Sequence, residues 1–330
     1  MSAMLLPILG LFIGVLGLLW GADRFVAGSA GAARNFGISP LIIGLTVVSI
    51  GTSAPEILVS VNAALNHAAE LAVGNALGSN MANIGLVLGV TVLIAPTPVQ
   101  KHLLTQEGVV LLFITAVAGL CLYDGYLGRG ESLILLSLIF PLIFITVKYK
   151  KTHISPEELA TGEEIPDITM GAASLWFIVG LAVLLASAEV TVWSAKTIAQ
   201  AMGISELIIG LTVVAIGTSL PELAASVVSA LRGHHDIAIG NVFGSNLFNL
   251  MLVMTTAGII SPMTLTSEVF SRDFISLAAM TVLLVAMVAL ALYKASRNGS
   301  AAVLSRHLGA VLLSGYVLYY VLLWPAIVGA

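Results

Sequence analysis

The sequence predicts an all-α polytopic membrane protein, and two observations support that prediction. First, only 9% of the 330 residues are charged and 58% are hydrophobic, whereas a soluble domain carries about 25% charged residues. Second, the apolar residues come in blocks of about 20, the length at which a helix crosses a bilayer. These blocks show no alternation of period two, so a transmembrane β-barrel is excluded.

About ten such blocks follow one another along the chain. We place them at 4–26, 40–65, 71–95, 108–122, 131–147, 171–197, 206–231, 237–260, 274–293 and 308–327. A polar loop at 148–169 divides them into two sets of five. The expected organisation is a first repeat at 1–150, a cytoplasmic loop at 151–169 and a second repeat at 170–330.

The second half of the chain repeats the first. Residues 38–90 align without a gap on 204–256, and roughly half of the aligned residues are identical, which is far above chance. Because each copy holds an odd number of spans, the second copy must enter the membrane from the opposite side. Inverted repeats of this kind are typical of secondary transporters, whose binding site lies between the repeats near the bilayer centre. One chain holds both halves, so we expect a functional monomer.

The distribution of Lys and Arg orients the chain in the lipid bilayer. Most of the 13 lie in loops that follow odd-numbered spans, and the positive-inside rule places such loops in the cytoplasm. We therefore expect a protein of the cytoplasmic (inner) membrane with both termini outside. The basic residues form no stripe, so nucleic acid is not an expected partner.

One polar motif interrupts an apolar span in each copy, as GTSAPE at 51–56 and GTSLPE at 217–222. Proline has no N–H and clashes with the preceding turn, so nearby carbonyls, such as those of Ser49 and Ala215, are expected to lose their helical partners. The hydroxyls and the glutamate lie three and four residues apart and share one helix face. A second polar segment, GNxxGSNxxN, follows at 74–83 and at 240–249.

These segments offer a site of oxygen ligands only, because they contain neither cysteine nor histidine. Ca²⁺ and Na⁺ prefer such ligands, whereas softer metals prefer Cys or His. Two carboxylates, Glu56 and Glu222, can balance one divalent ion, several monovalent ions or protons. Competition for the same charges would couple two ion fluxes, and an ionisable residue inside a span indicates function. No cofactor is expected beyond the transported ions.

The doubled motifs resemble the two α-repeats of the calcium/cation antiporter superfamily, in particular its prokaryotic sodium/calcium exchanger branch. The resemblance implies ten transmembrane helices, a diamond of four ion sites at the membrane centre, and sliding of the first and sixth helices as gates. It also implies that both glutamates bind calcium, that sodium sites flank them and that sodium entry drives calcium out. Carried over by motif position, the ligands are Thr52, Ser53, Glu56, Ser79 and Asn83, with Thr218, Ser219, Glu222, Ser245 and Asn249 as their partners.

One position departs from the resemblance. Some relatives carry Asp where this chain has Asn249, which leaves proton coupling open and argues against the potassium-dependent branch. Three functions are therefore considered: a calcium/sodium antiporter, a calcium (divalent cation)/proton antiporter on the same fold, and a channel or intramembrane enzyme. Inverted repeats within one chain disfavour a channel, and the lack of a GxSxG or zinc motif disfavours an enzyme.

Overall fold

The computed structural model describes residues 2–66, 69–142, 168–203 and 215–328, and these residues are almost entirely helical. The helices are α1 (Ser2–Phe36), α2 (Pro40–Thr52), α3 (Ala54–Leu65), α4 (Glu70–Ile94), α5 (Leu103–Leu122), α6 (Arg129–Ser137), α7 (Met170–Ala201), α8 (Ala215–Thr218), α9 (Leu220–Leu231), α10 (His235–Ile260), α11 (Val269–Asn298) and α12 (Arg306–Val328). Four two-residue strands accompany them: β1 (Thr97–Pro98), β2 (Tyr126–Leu127), β3 (Met263–Thr264) and β4 (Val303–Leu304).

Seven of the described helices are long and apolar enough to cross a membrane, and the bent pair α2–α3 makes an eighth if it counts as one span. The prediction of a helical, polytopic membrane protein is thereby confirmed. Predicted spans five and seven fall partly outside the described residues, at 143–147 and 206–214, as does nearly all of the loop 151–169. Ten spans in two inverted sets of five, and the repeat boundaries, stay predictions.

Several helices extend beyond the apolar blocks. α1 continues to Phe36 instead of ending near residue 26, because polar residues can prolong a helix once it leaves the apolar zone. Within it, Asp23 forms an ion pair with Arg232. α11 begins at Val269, before the predicted start, and ends at Asn298. There Gly299 adopts a left-handed φ of 63°, which terminates the helix.

The centre of the bundle is formed by α4 and α10, the helices that carry the second polar segment of each repeat. In the most apolar 18-residue stretch of each helix, 72% of the residues are buried in α4 and 94% in α10. The corresponding share is only 22% in α1 and 22% in α7. α1 and α7 pack against each other at the outside, where Phe25 meets Phe177 at a ring distance of 5.0 Å. Large apolar side chains such as Phe12 and Leu120 point outward, as lipid-facing residues do.

The two halves are joined crosswise at their helix ends. β1 pairs with β4 and β2 pairs with β3, both antiparallel, so each pair takes one strand from each half. Beside them, Arg129 Nε donates to the Ile259 carbonyl at 3.1 Å, and Arg306 Nε donates to the Leu93 carbonyl at 3.0 Å. A guanidinium at the C-terminal carbonyls of a helix is favourable for that helix. The same connection is thus made twice, with the roles of the halves exchanged.

Candidate functional site

Each polar motif interrupts its helix at the central serine. Ser53 separates α2 from α3 with φ −81° and ψ 9°, and Ser219 separates α8 from α9 with φ −88° and ψ 4°. The proline that follows occupies the first turn of the next helix, where its missing N–H costs nothing. α2 and α3 consequently meet at 45°. Both glutamates therefore lie in the first turn of a helix, near the positive end of its dipole.

The expectation that the break frees the carbonyl of Ser49 is wrong. This oxygen accepts from the Ser53 N–H at 2.9 Å. The physical reason is the position of the missing donor, because Pro55 withdraws its N–H from Gly51 and not from Ser49. In the second copy the Ser219 N–H donates to the Ile216 carbonyl, three residues back, at 3.1 Å. The Ala215 carbonyl as a ligand stays a prediction.

The side chains of the motifs are polar and nevertheless buried. The exposed fraction of Glu56 is 1% and that of Glu222 is 0%. The hydroxyls and amides around them are also buried: Ser49, Thr52, Ser53, Ser79, Asn83, Ser219, Ser245 and Asn249. Among the predicted ligand side chains whose burial is described, Thr218 is the one that is partly exposed. Burying so many polar groups is costly unless they find partners, so the cluster requires an explanation.

The structure brings the first motif into contact with the second repeat. Ser53 Oγ donates to Glu222 Oε1 at 2.9 Å, and Thr52 Oγ1 donates to Asn241 Oδ1 at 3.1 Å. Ser49 Oγ donates to the Asn241 carbonyl at 3.1 Å. The two motifs, far apart in the sequence, therefore meet in one buried polar cluster. We call this cluster, which surrounds Glu56 and Glu222, the pocket.

Many of the buried polar atoms in this pocket lack a hydrogen-bond partner within the described part of the chain. They are Glu56 Oε1 and Oε2, Asn83 Oδ1 and Nδ2, Ser219 Oγ, Glu222 Oε2, Ser245 Oγ, and Asn249 Oδ1 and Nδ2. Buried polar atoms are nearly always satisfied in proteins, and exceptions that cluster point to an ion or another ligand. The unsatisfied atoms are mostly oxygens from carboxylate, hydroxyl and amide groups, which is the donor set that hard cations prefer.

Asn83 and Asn249 are each the first residue of a π-helical segment within a longer helix. These segments are Asn83–Leu88 in α4 and Asn249–Val253 in α10. A third π-helical segment, Gly44–Val48, lies in α2 one turn before the first motif. π-Helical turns inside α-helices are frequent at functional sites, because they shift the direction of side chains and release backbone groups.

Four further asparagines belong to the pocket and were not predicted as site residues. Asn75 and Asn241 donate to the backbone carbonyls of Glu56 and Glu222 at 3.2 Å and 3.3 Å. Asn80 Nδ2 donates to the carbonyl of Asn246, its counterpart in the other repeat, at 3.1 Å. Their signal was present in the sequence, because each of these positions is asparagine in both copies. What the sequence lacked was any indication of which atoms they contact.

The fit of the pocket to cations follows from its charge as well as its oxygens. Glu56 and Glu222 can supply two negative charges when ionised. The described residues contain no group of three or more His, Cys, Asp and Glu that could hold a metal ion, so a cation here would depend on hydroxyl and amide oxygens beside the two carboxylates. Carboxylate, hydroxyl and amide oxygens can make up the six to eight ligands that Ca²⁺ usually takes. Fold and site together thus define a polytopic membrane protein with a buried cluster of oxygen atoms that suits hard cations.

Comparison with known proteins identifies the family. The family model described as sodium/calcium exchanger protein matches residues 6–148 and 172–324, so the chain belongs to this family. It is similar to the putative antiporter CaxA of Alkalimonas amylolytica, with 42% identity over 98% of this chain and 100% of the relative. It is also similar to the inner membrane protein YrbG of Escherichia coli, with 37% identity over 97% and 98%.

Solved structures agree with this assignment. A structure of the sodium-calcium exchanger NCX_Mj, soaked with 10 mM Na⁺ and zero Ca²⁺, superposes with a TM-score of 0.82 and 32% identity. The alignment covers 96% of this chain and 99% of that one. The protein is therefore an antiporter for cations in a membrane, and not an enzyme.

Proposed function

We propose that the protein is a secondary active antiporter that exchanges calcium for sodium across the cytoplasmic membrane. The observation that carries this proposal is the pair of fully buried glutamates, Glu56 and Glu222, one from each motif. Ser53, from the motif of Glu56, donates a hydrogen bond to Glu222 and so brings the two motifs together. A protein named sodium/calcium exchanger MaX1 from Methanosarcina acetivorans is 29% identical over 295 residues, and NCX_Mj shares the fold. Both names support calcium and sodium as the transported ions.

The ligands we propose are the motif oxygens of both repeats. They are Thr52, Ser53, Glu56, Ser79 and Asn83, with the Ala215 carbonyl, Thr218, Ser219, Glu222, Ser245 and Asn249. Ser49 is left out because its hydroxyl donates to the carbonyls of Gly44 and Asn241, and its own carbonyl accepts from Ser53. It stabilises the contact between α2 and α10 instead.

Charge neutralisation couples the two fluxes. Burying two carboxylates without a positive counter-charge costs free energy. This cost falls when one Ca²⁺ or several Na⁺ neutralise the carboxylates. The protein therefore rarely changes the side from which the pocket is open while the pocket is empty. It makes this change readily when the pocket holds calcium or sodium. Alternating access of this kind suits two inverted halves, and the crosswise strand pairs and the matched arginine contacts support such a plan.

The remaining features of the proposal follow the sequence. We propose ten transmembrane helices in two inverted sets of five, with the loop 151–169 in the cytoplasm and both termini outside. YrbG is described as an inner membrane protein, which supports the cytoplasmic membrane as the location. Because one chain supplies both halves of the pocket, the monomer is the proposed functional unit.

A calcium/proton antiporter is the second candidate. Asn83 and Asn249 are both amides, so the only carboxylates among the proposed ligands are Glu56 and Glu222. Two protons would neutralise these groups as completely as sodium ions, and would need no further ligands. This alternative uses the same fold and the same pocket.

Calcium uptake into everted membrane vesicles distinguishes the two candidates. We expect an imposed sodium gradient to drive uptake in the absence of a proton gradient, and vesicles with Glu222→Gln to show none. Uptake that responds to a proton gradient alone would establish the second candidate. If neither gradient drives calcium uptake in vesicles that contain the folded protein, both candidates are wrong.

A further inference from the structure

Both ends of the Asn241 side-chain amide are hydrogen-bonded at the pocket. Its Nδ2 donates to Ser226 Oγ at 2.9 Å and to the Glu222 carbonyl at 3.3 Å. Its Oδ1 accepts from Thr52 Oγ1 at 3.1 Å. The side chain is 0% exposed. One amide thus joins three helices: its own α10, the glutamate helix α9, and α2 of the other repeat.

The first repeat contains the same arrangement around Asn75. Its Nδ2 donates to the Glu56 carbonyl at 3.2 Å and to Ser60 Oγ at 3.3 Å. Ser60 and Ser226 occupy equivalent positions, one turn after the glutamate in each copy. The same pair of contacts therefore forms in both copies of the repeat. Because the two copies lie in different parts of the structure, this agreement indicates that the contacts have a function.

We propose that Asn75 and Asn241 are positioning residues, each of which fixes the rotation of a glutamate helix so that its carboxylate points into the cation pocket. The inference rests on the proposed function of that pocket. Contacts to both the glutamate carbonyl and the serine one turn later hold two points on the same helix face, which prevents the helix from turning about its axis. The asparagine acts through the glutamate and does not itself bind the cation.

Asparagine suits this role because its amide is neutral. The Asn241 Nδ2 is directed at two oxygens of α9, and its Oδ1 is already engaged by Thr52. A lysine or arginine at this place would compete with the cation for the carboxylate, and an aspartate would turn an oxygen toward the Glu222 carbonyl. Residues that orient metal ligands in this way commonly change metal affinity by about 10–100-fold when they are replaced.

The test is calcium binding by purified full-length protein, measured by isothermal titration calorimetry, together with KM and maximal rate of calcium uptake in proteoliposomes. We expect Asn241→Ala to raise the Kd and KM for calcium by about 10-fold or more, and to change the maximal rate little. Ser226→Ala removes one contact only and should raise Kd less. The double variant should bind no more weakly than Asn241→Ala, because both changes interrupt the same contact.

Asn66→Ala is the matched control, since Asn66 is an exposed asparagine that donates to Asn62 at the end of α3. Its Kd should equal that of the wild type. A folded, monodisperse Asn241→Ala protein with wild-type Kd would overturn the proposal, as would strictly additive effects of Asn241→Ala and Ser226→Ala. Should Asn241→Ala fail to fold, Ser226→Ala and Asn75→Ala decide by the same measurement.

The proposed function is tested separately in the same titration. Wild-type protein that binds no calcium, or Glu222→Gln protein that binds it as the wild type does, contradicts the assignment of the pocket. If the wild type binds calcium and Glu222→Gln does not, while Asn241→Ala binds normally, only the positioning role is wrong.

Discussion

The two copies of the repeat carry the same polar motif residues but make different contacts with them. Glu222 accepts a hydrogen bond from Ser53, whereas both carboxylate oxygens of Glu56 lack a partner within the described residues. Asn241 is fully buried and joins three helices, whereas Asn75 is half-buried. The polar residues of the motifs are the same in both copies, whereas apolar ones such as Ala54 and Leu220 differ, so the different hydrogen bonds do not come from a change in the polar side chains. Such asymmetry is what the proposed antiporter requires, since exchanging the conformations of two inverted repeats would change the side from which the pocket is reached.

The packing of one central helix, α10, is fully described where α2 covers it. α2 packs closely on α10, where Gly240 approaches the backbone of Leu41 and Leu45. The corresponding Gly74 of α4 is exposed. The chain segment equivalent to α2 in the second copy lies largely in 204–214, outside the described residues. The comparison between copies can be tested by paired substitutions, one in each repeat.

The largest expected effect is the loss of either carboxylate. Glu56→Gln and Glu222→Gln each leave one negative charge for a divalent cation, in a pocket where ionic partners decide the cost of burial. We expect calcium uptake into vesicles to fall by more than about 100-fold in both, which is the effect of losing a directly coordinating charge and exceeds the usual effect of a supporting residue. A clearly milder effect of one substitution would show that the copies do not contribute equally.

The next largest effect is expected from Gly240→Ala. A Cβ at this position would lie 2.8 Å from the Leu41 carbonyl oxygen and 2.9 Å from the Leu45 nitrogen, and backbone atoms cannot move aside easily. Overpacking of this kind costs about 1–3 kcal/mol. Thermal unfolding of the purified protein should show a lowered midpoint for Gly240→Ala and a smaller change for Gly74→Ala. Equal destabilisation would mean that both central helices are covered alike.

A smaller difference is expected between the two motif serines. Ser53→Ala removes the donor to Glu222 Oε1, and hydrogen bonds to charged groups contribute about 1.5–3 kcal/mol. Ser219 Oγ lacks a partner within the described residues, so Ser219→Ala should change the stability of the cation-free protein less. Unfolding in cation-free buffer measures both variants. If calcium is then added, the two should lose similar amounts of stabilisation by calcium, since both hydroxyls are proposed ligands.

The smallest effects are expected where the copies are alike. Arg129 and Arg306 make equivalent contacts, at 3.1 Å and 3.0 Å, with the last turn of a helix from the other half. Removing either guanidinium should cost about 0.5–1.5 kcal/mol, the typical net value of one hydrogen bond. Arg129→Ala and Arg306→Ala should therefore lower the unfolding midpoint by similar amounts. Markedly unequal shifts of the midpoint would show that the two arginine contacts are not equivalent.

Much of the architecture was predictable because the bilayer limits the choices. Apolar blocks of bilayer length must be helices, and the structure confirms a helical membrane protein. The helix breaks at Ser53 and Ser219 were also predictable, because proline interrupts a helix at a known distance. The bounds of α1 and α11 were not, since nothing in an apolar pattern marks where a helix ends after it has left the lipid.

The sequence by itself determined the membrane environment, the repeat, the two broken helices and the oxygen ligands available to a cation, since each of these depends on composition or on neighbours along the chain. Only the tertiary structure decided that Ser53 bonds to Glu222, that Asn241 holds both Glu222 and Thr52, and that the Ser49 carbonyl is occupied. The reason is physical: such contacts join residues distant in sequence, and the same polar side chains can find different partners when the residues around them differ.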